Sequence, residues 1–106
     1  MIKMATIAVN EKNFASEVTS SALPVLVDFY AEWCSPCRMV APLLETLSGE
    51  LEGKAKFARV EVSENPDLAR RYRVQSVPTM MVFRNGRVTD TLVGAVGKEQ
   101  IAGVIG

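Results

Sequence analysis

The sequence predicts a single α/β domain, and three observations carry that prediction. Strand and helix patterns alternate along the 106 residues in the order β-α-β-α-β-α-β-β-α, as in a sheet whose strands are joined through helices. Val25–Tyr30 and Thr79–Phe83 are nearly all apolar, the composition of central strands covered on both faces. Asn85-Gly86 separates the last two strands, a strong hairpin signal because both turn residues must accept positive φ. No linker, low-complexity tract or internal repeat interrupts the chain, so residues 1–106 form one domain.

Each element follows from local pattern. Thr6–Val9 is a short strand candidate. Asn10 can cap a helix through about Val18, in which Phe14 and Val18 share a face at i, i+4. Thr19–Ala22 is a polar loop of small residues. After Val25–Tyr30, a helix opens at Ser35 and continues through Leu51, with Met39, Leu43, Leu44 and Leu47 at core spacing. Pro42 should kink it, because proline removes one intrahelical bond and crowds the preceding turn. Lys56–Val62 is the next strand, with Ala58, Val60 and Val62 on one side, and Glu61 and Glu64 read as a solvated strand end. Asn65-Pro66 marks a helix start, a capping residue before proline at the first helical position, and that helix runs to about Tyr72. Met80-Met81 reads as core filling, and Arg87–Val93 as the returning strand. A closing helix over Gly97–Ile105 is interrupted by Gly103 and expected to fray.

The stretch with most chemistry is Trp33-Cys34-Ser35-Pro36-Cys37-Arg38, which follows an apolar strand and opens the longest helix. The first amides of a helix lack internal partners, and its aligned dipoles put partial positive charge there. A thiolate at that end is favoured, so its thiol ionises more readily. Thiol–disulfide exchange needs an attacking thiolate and a second thiol to resolve the mixed disulfide. Cys34, accessible at the helix start, is the expected nucleophile. Cys37, one turn on along the same face, is the expected resolving thiol. Pro36 has no amide hydrogen to lose in the first turn and stiffens the link between the sulfurs. A zinc site is the competing reading, but four ligands are usual and the chain offers two cysteines and no histidine. A purely structural disulfide would close a very small loop and contribute little.

Composition narrows the setting. Lys plus Arg and Asp plus Glu are both twelve, a formal net charge of zero, which gives no reason to invoke nucleic acid or an anionic membrane. No apolar run approaches the roughly 20 residues needed to span a bilayer. Ala5–Val9 is short and is followed by charged Glu11 and Lys12, so no signal peptide is expected. The expected location is the cytoplasm, where a C-x-x-C is more often catalytic or metal-binding than structural.

Two further residues stand out. Leu26, Asp28 and Tyr30 share a strand face, so the Asp28 carboxylate falls among apolar neighbours, or else at a solvated strand edge. Burial would raise its pKa and let it exchange a proton near neutral pH. Pro78 precedes a buried strand, where proline is disfavoured. Only about 5–6% of X–Pro bonds are cis, so on the residues alone a trans proline starting the strand is favoured.

The chain resembles the thioredoxin family along nearly its whole length. The matching pieces are Val25-Leu26-Val27-Asp28-Phe29, Ala31-Glu32-Trp33-Cys34, Pro36-Cys37, Ala41-Pro42, Asn65-Pro66, Val77-Pro78-Thr79, Phe83-x-Asn85-Gly86 and Val93-Gly94-Ala95. Each alone is weak, but their joint occurrence in order is highly specific. The resemblance implies the thioredoxin fold, a central five-stranded mixed β-sheet flanked by four α-helices, with the last hairpin antiparallel to the rest. It implies a redox-active Cys34–Cys37 disulfide and no bound cofactor or metal. Asp28 would lie beneath the site and assist proton transfer for Cys37. Val77–Pro78 would be cis, with the Val77 backbone pairing with an extended substrate segment. Trp33, Val62, Val93, Gly94 and Ala95 would complete an apolar docking surface around Cys34. The implied function is a general protein-disulfide reductant, a monomer that serves disulfide-containing target proteins and is recycled by a thioredoxin reductase.

Departures bear on redox tuning. Ser35 stands where glycine is usual; its hydroxyl can donate a hydrogen bond to the Cys34 sulfur, and with Pro36 it tunes the redox poise. Arg59 replaces a common lysine near Asp28 and cannot deprotonate in its place. Tyr30 replaces tryptophan, Ser76 glycine and Ser63 aspartate. The alternatives are an oxidant or isomerase with a raised potential, and a non-catalytic module that binds partners through the same surface.

Overall fold

The computed structural model describes residues 6–106; Ala5, which opens the apolar stretch weighed above as a leader, lies outside the described residues. The elements are β1 (Ile7–Ala8), a one-turn π-helix (Ala15–Thr19), β2 (Val25–Tyr30), α1 (Ser35–Glu50), β3 (Lys56–Glu61), α2 (Pro66–Arg71), β4 (Thr79–Arg84), β5 (Arg87–Val93) and α3 (Lys98–Ile105), so four helices accompany the sheet, the first of them π rather than α. The strands form one five-stranded mixed sheet in the order β1-β3-β2-β4-β5. β1, β3 and β2 pair in parallel, β4 runs antiparallel to β2, and β5 antiparallel to β4. The expectation that the whole last hairpin opposes the other strands is therefore corrected: only β4 is reversed, and β5 points the same way as β2.

Strand alternation divides the core between the two faces. Val25, Val27 and Phe29 pack with Ala58, Val60, Phe83, Phe14, Val18 and Leu68 on the face covered by the π-helix and α2. Tyr72 stands edge-on to Phe83 there, with ring centroids 5.1 Å apart, a favourable arrangement of two ring quadrupoles. Leu26, Phe57, Met80 and Val82 pack with Val40, Leu44, Leu47, Ile101 and Ile105 on the face of α1 and α3. Asp28 and Tyr30 follow Leu26 onto this second face. In the register, Asp28 is flanked by Arg59 of β3 and Met80 of β4.

Several local expectations need correction. Asn10 caps the first helical segment as expected, its carbonyl accepting from the Phe14 amide at 3.0 Å, but the segment then widens into a π-helix rather than continuing as an α-helix. Asn10 Oδ1 accepts from the amides of Lys12 and Asn13, and Asn13 Oδ1 accepts from the Asn10 amide. The π-helix that follows is closed by the Ser20 amide on the Ala15 carbonyl, five residues back, at 2.9 Å. Met39 does not face the core; it is 67% exposed, and Val40 takes the buried position in α1. Asn65 does not cap α2 with its side chain. Its Oδ1 accepts from the Glu11 amide and its Nδ2 donates to the Glu61 carbonyl. Glu11 Oε2 accepts from the Asp67 amide instead, a cap supplied from a distant part of the chain. α3 is anchored, with Ile101 and Ile105 buried and Arg84 Nη2 donating to the carbonyls of Val104 and Ile105. The Asn85-Gly86 turn is as expected, with φ of 54° and 79°.

Candidate functional site

Cys34 is the N-cap of α1. Its backbone is extended (φ −96°, ψ 112°), and its Sγ accepts the Cys37 amide at 3.1 Å, a bond that an oxygen supplies at most N-caps. Pro36 lies in the first turn, where no helical bond is lost. Cys34 and Cys37 are joined by a disulfide, with their Cα atoms 5.3 Å apart. The accessibility expected of Cys34 is corrected: Cys34 is 4% exposed and Cys37 1%, both packed with Ala31 and against Tyr30, Val62 and Val77. Ser35 is exposed, and its hydroxyl makes no hydrogen bond to the sulfur; the Cys37 amide holds that place.

A second segment closes over the sulfurs. The Val77–Pro78 bond is cis, as the resemblance implies and against what the residues alone favour. The Val77 carbonyl oxygen lies 3.7 Å from Cys34 Sγ, close enough to accept from a thiol there. Thr79 Oγ1 donates to the Ser76 carbonyl at 2.7 Å, and the Gly94 amide to the Pro78 carbonyl at 2.8 Å. The second bond ties the β5–α3 loop to the proline loop. Gly94 has φ 93°, a conformation that suits glycine.

Beside the sulfurs runs a groove of about 370 Å³ lined by Trp33, Val62, Val74, Gln75, Ser76 and Val77. Trp33 is 73% exposed at its edge. Among the expected docking residues, Trp33, Val62 and Val77 meet at this groove. Val93, Gly94 and Ala95 do not line it; of the three, Gly94 is tied to the proline loop through the bond from its amide to the Pro78 carbonyl.

Asp28 is fully buried, which removes the solvated-edge alternative. Arg59 Nε donates to its Oδ2 at 3.0 Å, while Oδ1 accepts no hydrogen bond among the described residues. Burial raises its pKa from 3.8 to about 6, and the charge and hydrogen bond of Arg59 lower it against that effect. A separate cavity of about 200 Å³ is lined by Tyr30, Ala31, Glu32, Cys37, Arg38, Ala41 and Arg59, so Cys37 shares a space with the cation that pairs with Asp28. Among the described residues no group of three or more His, Cys, Asp or Glu side chains could hold a metal ion, and no helix is long and apolar enough to cross a membrane.

Sequence reasoning missed Glu61. Expected at a solvated strand end, it is 6% exposed. Its Oε1 accepts from the Ser63 amide, the Ser63 hydroxyl and the Glu64 amide, and its Oε2 from the Glu32 amide. The Ser63 hydroxyl foremost, with the three amides, holds its pKa below the usual carboxylate value although burial opposes them. Alternation along β3 carried no signal of this, because the partners lie beyond the strand end.

A family model described as Thioredoxin matches residues 5–106. "Thioredoxin" of Rickettsia bellii (strain RML369-C) is 48% identical over 93 residues, covering 88% of this chain and 89% of that protein. "Thioredoxin" of Synechocystis sp. (strain ATCC 27184 / PCC 6803 / Kazusa) is 46% identical over 101 residues, 95% of this chain and 94% of that protein. "Thioredoxin M-type, chloroplastic" of Chlamydomonas reinhardtii is 44% identical over 94 residues, 89% of this chain and 67% of that protein.

Proposed function

The chain belongs to the thioredoxin family and has a thiol–disulfide redox function, and on that premise we propose that it is a general reductant of protein disulfides, with Cys34 as nucleophile and Cys37 as resolving thiol. The observation that carries this reading is Cys34 Sγ at the N-cap of α1, accepting the Cys37 amide beside an open apolar groove. The amide and the helix dipole favour sulfur as thiolate once the pair is reduced.

In the proposed reaction the Cys34 thiolate attacks one sulfur of the target disulfide. The target S–S bond breaks, a Cys34–target disulfide forms, and the second target sulfur leaves as a thiolate that takes up a proton. Cys37 gives its proton to the Asp28 carboxylate and attacks Cys34 Sγ, releasing the other target thiolate and closing the Cys34–Cys37 bond. Two electrons pass from the dithiol to the target, and a reductase drawing on NADPH or another donor returns them. Asp28, with a pKa of about 6, suits proton exchange near neutral pH. Trp33, Val62 and Val77 form the near wall for an extended target segment, the backbone of Val77 and Pro78 pairs with it, and Val93, Gly94 and Ala95 form the far side. Ser35 and Pro36 tune the potential of the pair. The chain works as a cytoplasmic monomer and needs no metal or bound cofactor.

The test is to mix the Cys37→Ser variant with disulfide-bonded proteins and measure the potential of the wild-type pair in parallel. Mixed disulfides should accumulate at Cys34, and the potential should fall below that of the glutathione pool. Absence of adducts would sink the nucleophile assignment. A potential well above the pool would make the chain an oxidant or isomerase.

A further inference from the structure

The β2–β3 backbone ladder ends at Tyr30 and Glu61, with one further bond from the Val62 amide to the Tyr30 carbonyl at 2.8 Å. Beyond that point the strands part. One leads through Ala31 and Glu32 to Trp33, and the other through Val62 and Ser63 to α2. The Glu61 carboxylate bridges the fork. One oxygen accepts from the Ser63 amide and hydroxyl, both at 2.6 Å, and from the Glu64 amide at 3.1 Å; the other accepts from the Glu32 amide at 3.2 Å. The Glu32 carbonyl is held from the opposite side by Arg38 Nη2 at 2.9 Å. Both backbone groups of the residue before Trp33 are thus fixed by charged side chains, whose hydrogen bonds are stronger than neutral ones.

We propose that Glu61 is a positioning residue for substrate docking: it pins the Glu32 amide to the β3–α2 loop and so sets the spacing between Trp33 and Val62 across the groove. This rests on the reading of that groove as the docking site. Trp33 has little else to hold it, being largely exposed, so its place depends on the backbone that carries it. Glu61 touches neither sulfur and should affect docking without altering the dithiol chemistry.

The chain has one tryptophan, Trp33, so its fluorescence reports the clamp directly. The experiment measures time-resolved anisotropy of Trp33 in the wild type, Glu61→Ala and Glu61→Gln, with far-UV circular dichroism to confirm folding. KM and kcat are measured for a disulfide-bonded protein and for a small organic disulfide, and the potential of the pair is measured in each variant. Glu61→Gln keeps the volume but turns an amide donor toward one of the donors, and it serves where Glu61→Ala does not fold. The expected result is a larger fast-depolarising component in both variants. KM for the protein substrate should rise about tenfold, about 1.4 kcal/mol of docking energy lost when the Trp33 wall is no longer held in register with Val62. The small-disulfide rate and the potential should stay at the wild-type values. Unchanged Trp33 depolarisation overturns the proposal, as does a parallel loss on both substrates with a shifted potential. A wild type that leaves protein disulfides intact, while Trp33 still loosens in the variants, overturns the reductant reading and supports the clamp.

Discussion

Arg59 joins two residues of the same β2 face: its Nε donates to Asp28 Oδ2 at 3.0 Å, and its guanidinium carbon lies 3.8 Å from the centroid of the Tyr30 ring. Stacking on the ring fixes the plane of the fork and leaves its edge for the carboxylate. The pair does not make Asp28 an ordinary carboxylate. Burial outweighs the cation, and the pKa stands at about 6. A buried ion pair commonly behaves this way, since attraction repays desolvation only in part.

The first prediction concerns stability against pH. The Asp28 pKa is raised in the folded chain, from 3.8 to about 6, so the folded state binds the proton more tightly than the unfolded state. The stability contributed by the neutral carboxyl is fully present below about pH 4 and is lost as pH rises through about 6. At about 1.36 kcal/mol per pKa step, the loss is on the order of 3 kcal/mol. Asp28→Asn, whose amide oxygen can still accept from Arg59, should be more stable than the wild type at pH 8, with the gap closing by pH 4. Denaturant midpoints at the two pH values check this, and a gap independent of pH would contradict it.

Arg59 supplies the second. Its charge and hydrogen bond both lower the Asp28 pKa, so Arg59→Leu should move that pKa above 6. Arg59→Lys should move it less, because it keeps the charge but loses the planar fork. Tyr30→Ala should move it in the same direction as Arg59→Leu by freeing the guanidinium, whereas Tyr30→Phe should keep the stacking and leave it near 6. Carboxyl titration by NMR reads each variant. An unmoved Asp28 in Arg59→Leu would mean that the cation has no hold on it.

Much of this site was legible because its signals are local or periodic. β2 and β5 follow the apolar and turn patterns residue for residue, and alternation alone put Asp28 on one face with Leu26 and Tyr30. What alternation cannot say is whether that face is covered at that height; α1 and Arg59 decide it. Val40 displaced Met39 because two neighbouring residues on a helix differ by about 100° in direction, so a short apolar run leaves the core face ambiguous. Asn65 and Glu61 were misread for another reason. The Asn65 side chain is taken up by the Glu11 amide 54 positions away and the Glu61 carbonyl four positions back. Glu61 accepts mainly from Ser63 and Glu64 in the turn just after its strand, with the Glu32 amide 29 positions away. Strand alternation and a cap motif register none of these bonds. The cis Val77–Pro78 bond came from family resemblance, not from the residues themselves.

The cap on α2 gives the third prediction. Glu11 Oε2 accepts the Asp67 amide at 3.0 Å across 56 positions of sequence. Glu11→Ala should destabilise the chain by about 0.5–2 kcal/mol, the usual cost of losing a cap. Glu11→Gln should cost less, since an amide oxygen can still accept. Thermal unfolding, with amide hydrogen exchange at Asp67 as the local readout, tests it. Unchanged protection at Asp67 in Glu11→Ala would show that the bond does not hold the helix end.

Two glycines should respond to alanine with opposite signs. Gly86 has φ 79°, and a Cβ there would meet the Thr19 carbonyl oxygen at 3.0 Å. Gly86→Ala therefore meets both an unfavourable backbone conformation and a crowded backbone neighbour, and should cost about 1–2 kcal/mol. Gly103 lies inside α3, is exposed, and a Cβ there would meet nothing within 4 Å. Gly103→Ala should stabilise by about 0.5–1 kcal/mol, by improving helix propensity and restricting the unfolded chain. That raises Tm by a few degrees in a domain of this size. If Gly103→Ala lowers Tm instead, α3 is not a regular helix at that position, and the anchoring of Ile101 and Ile105 must be reconsidered.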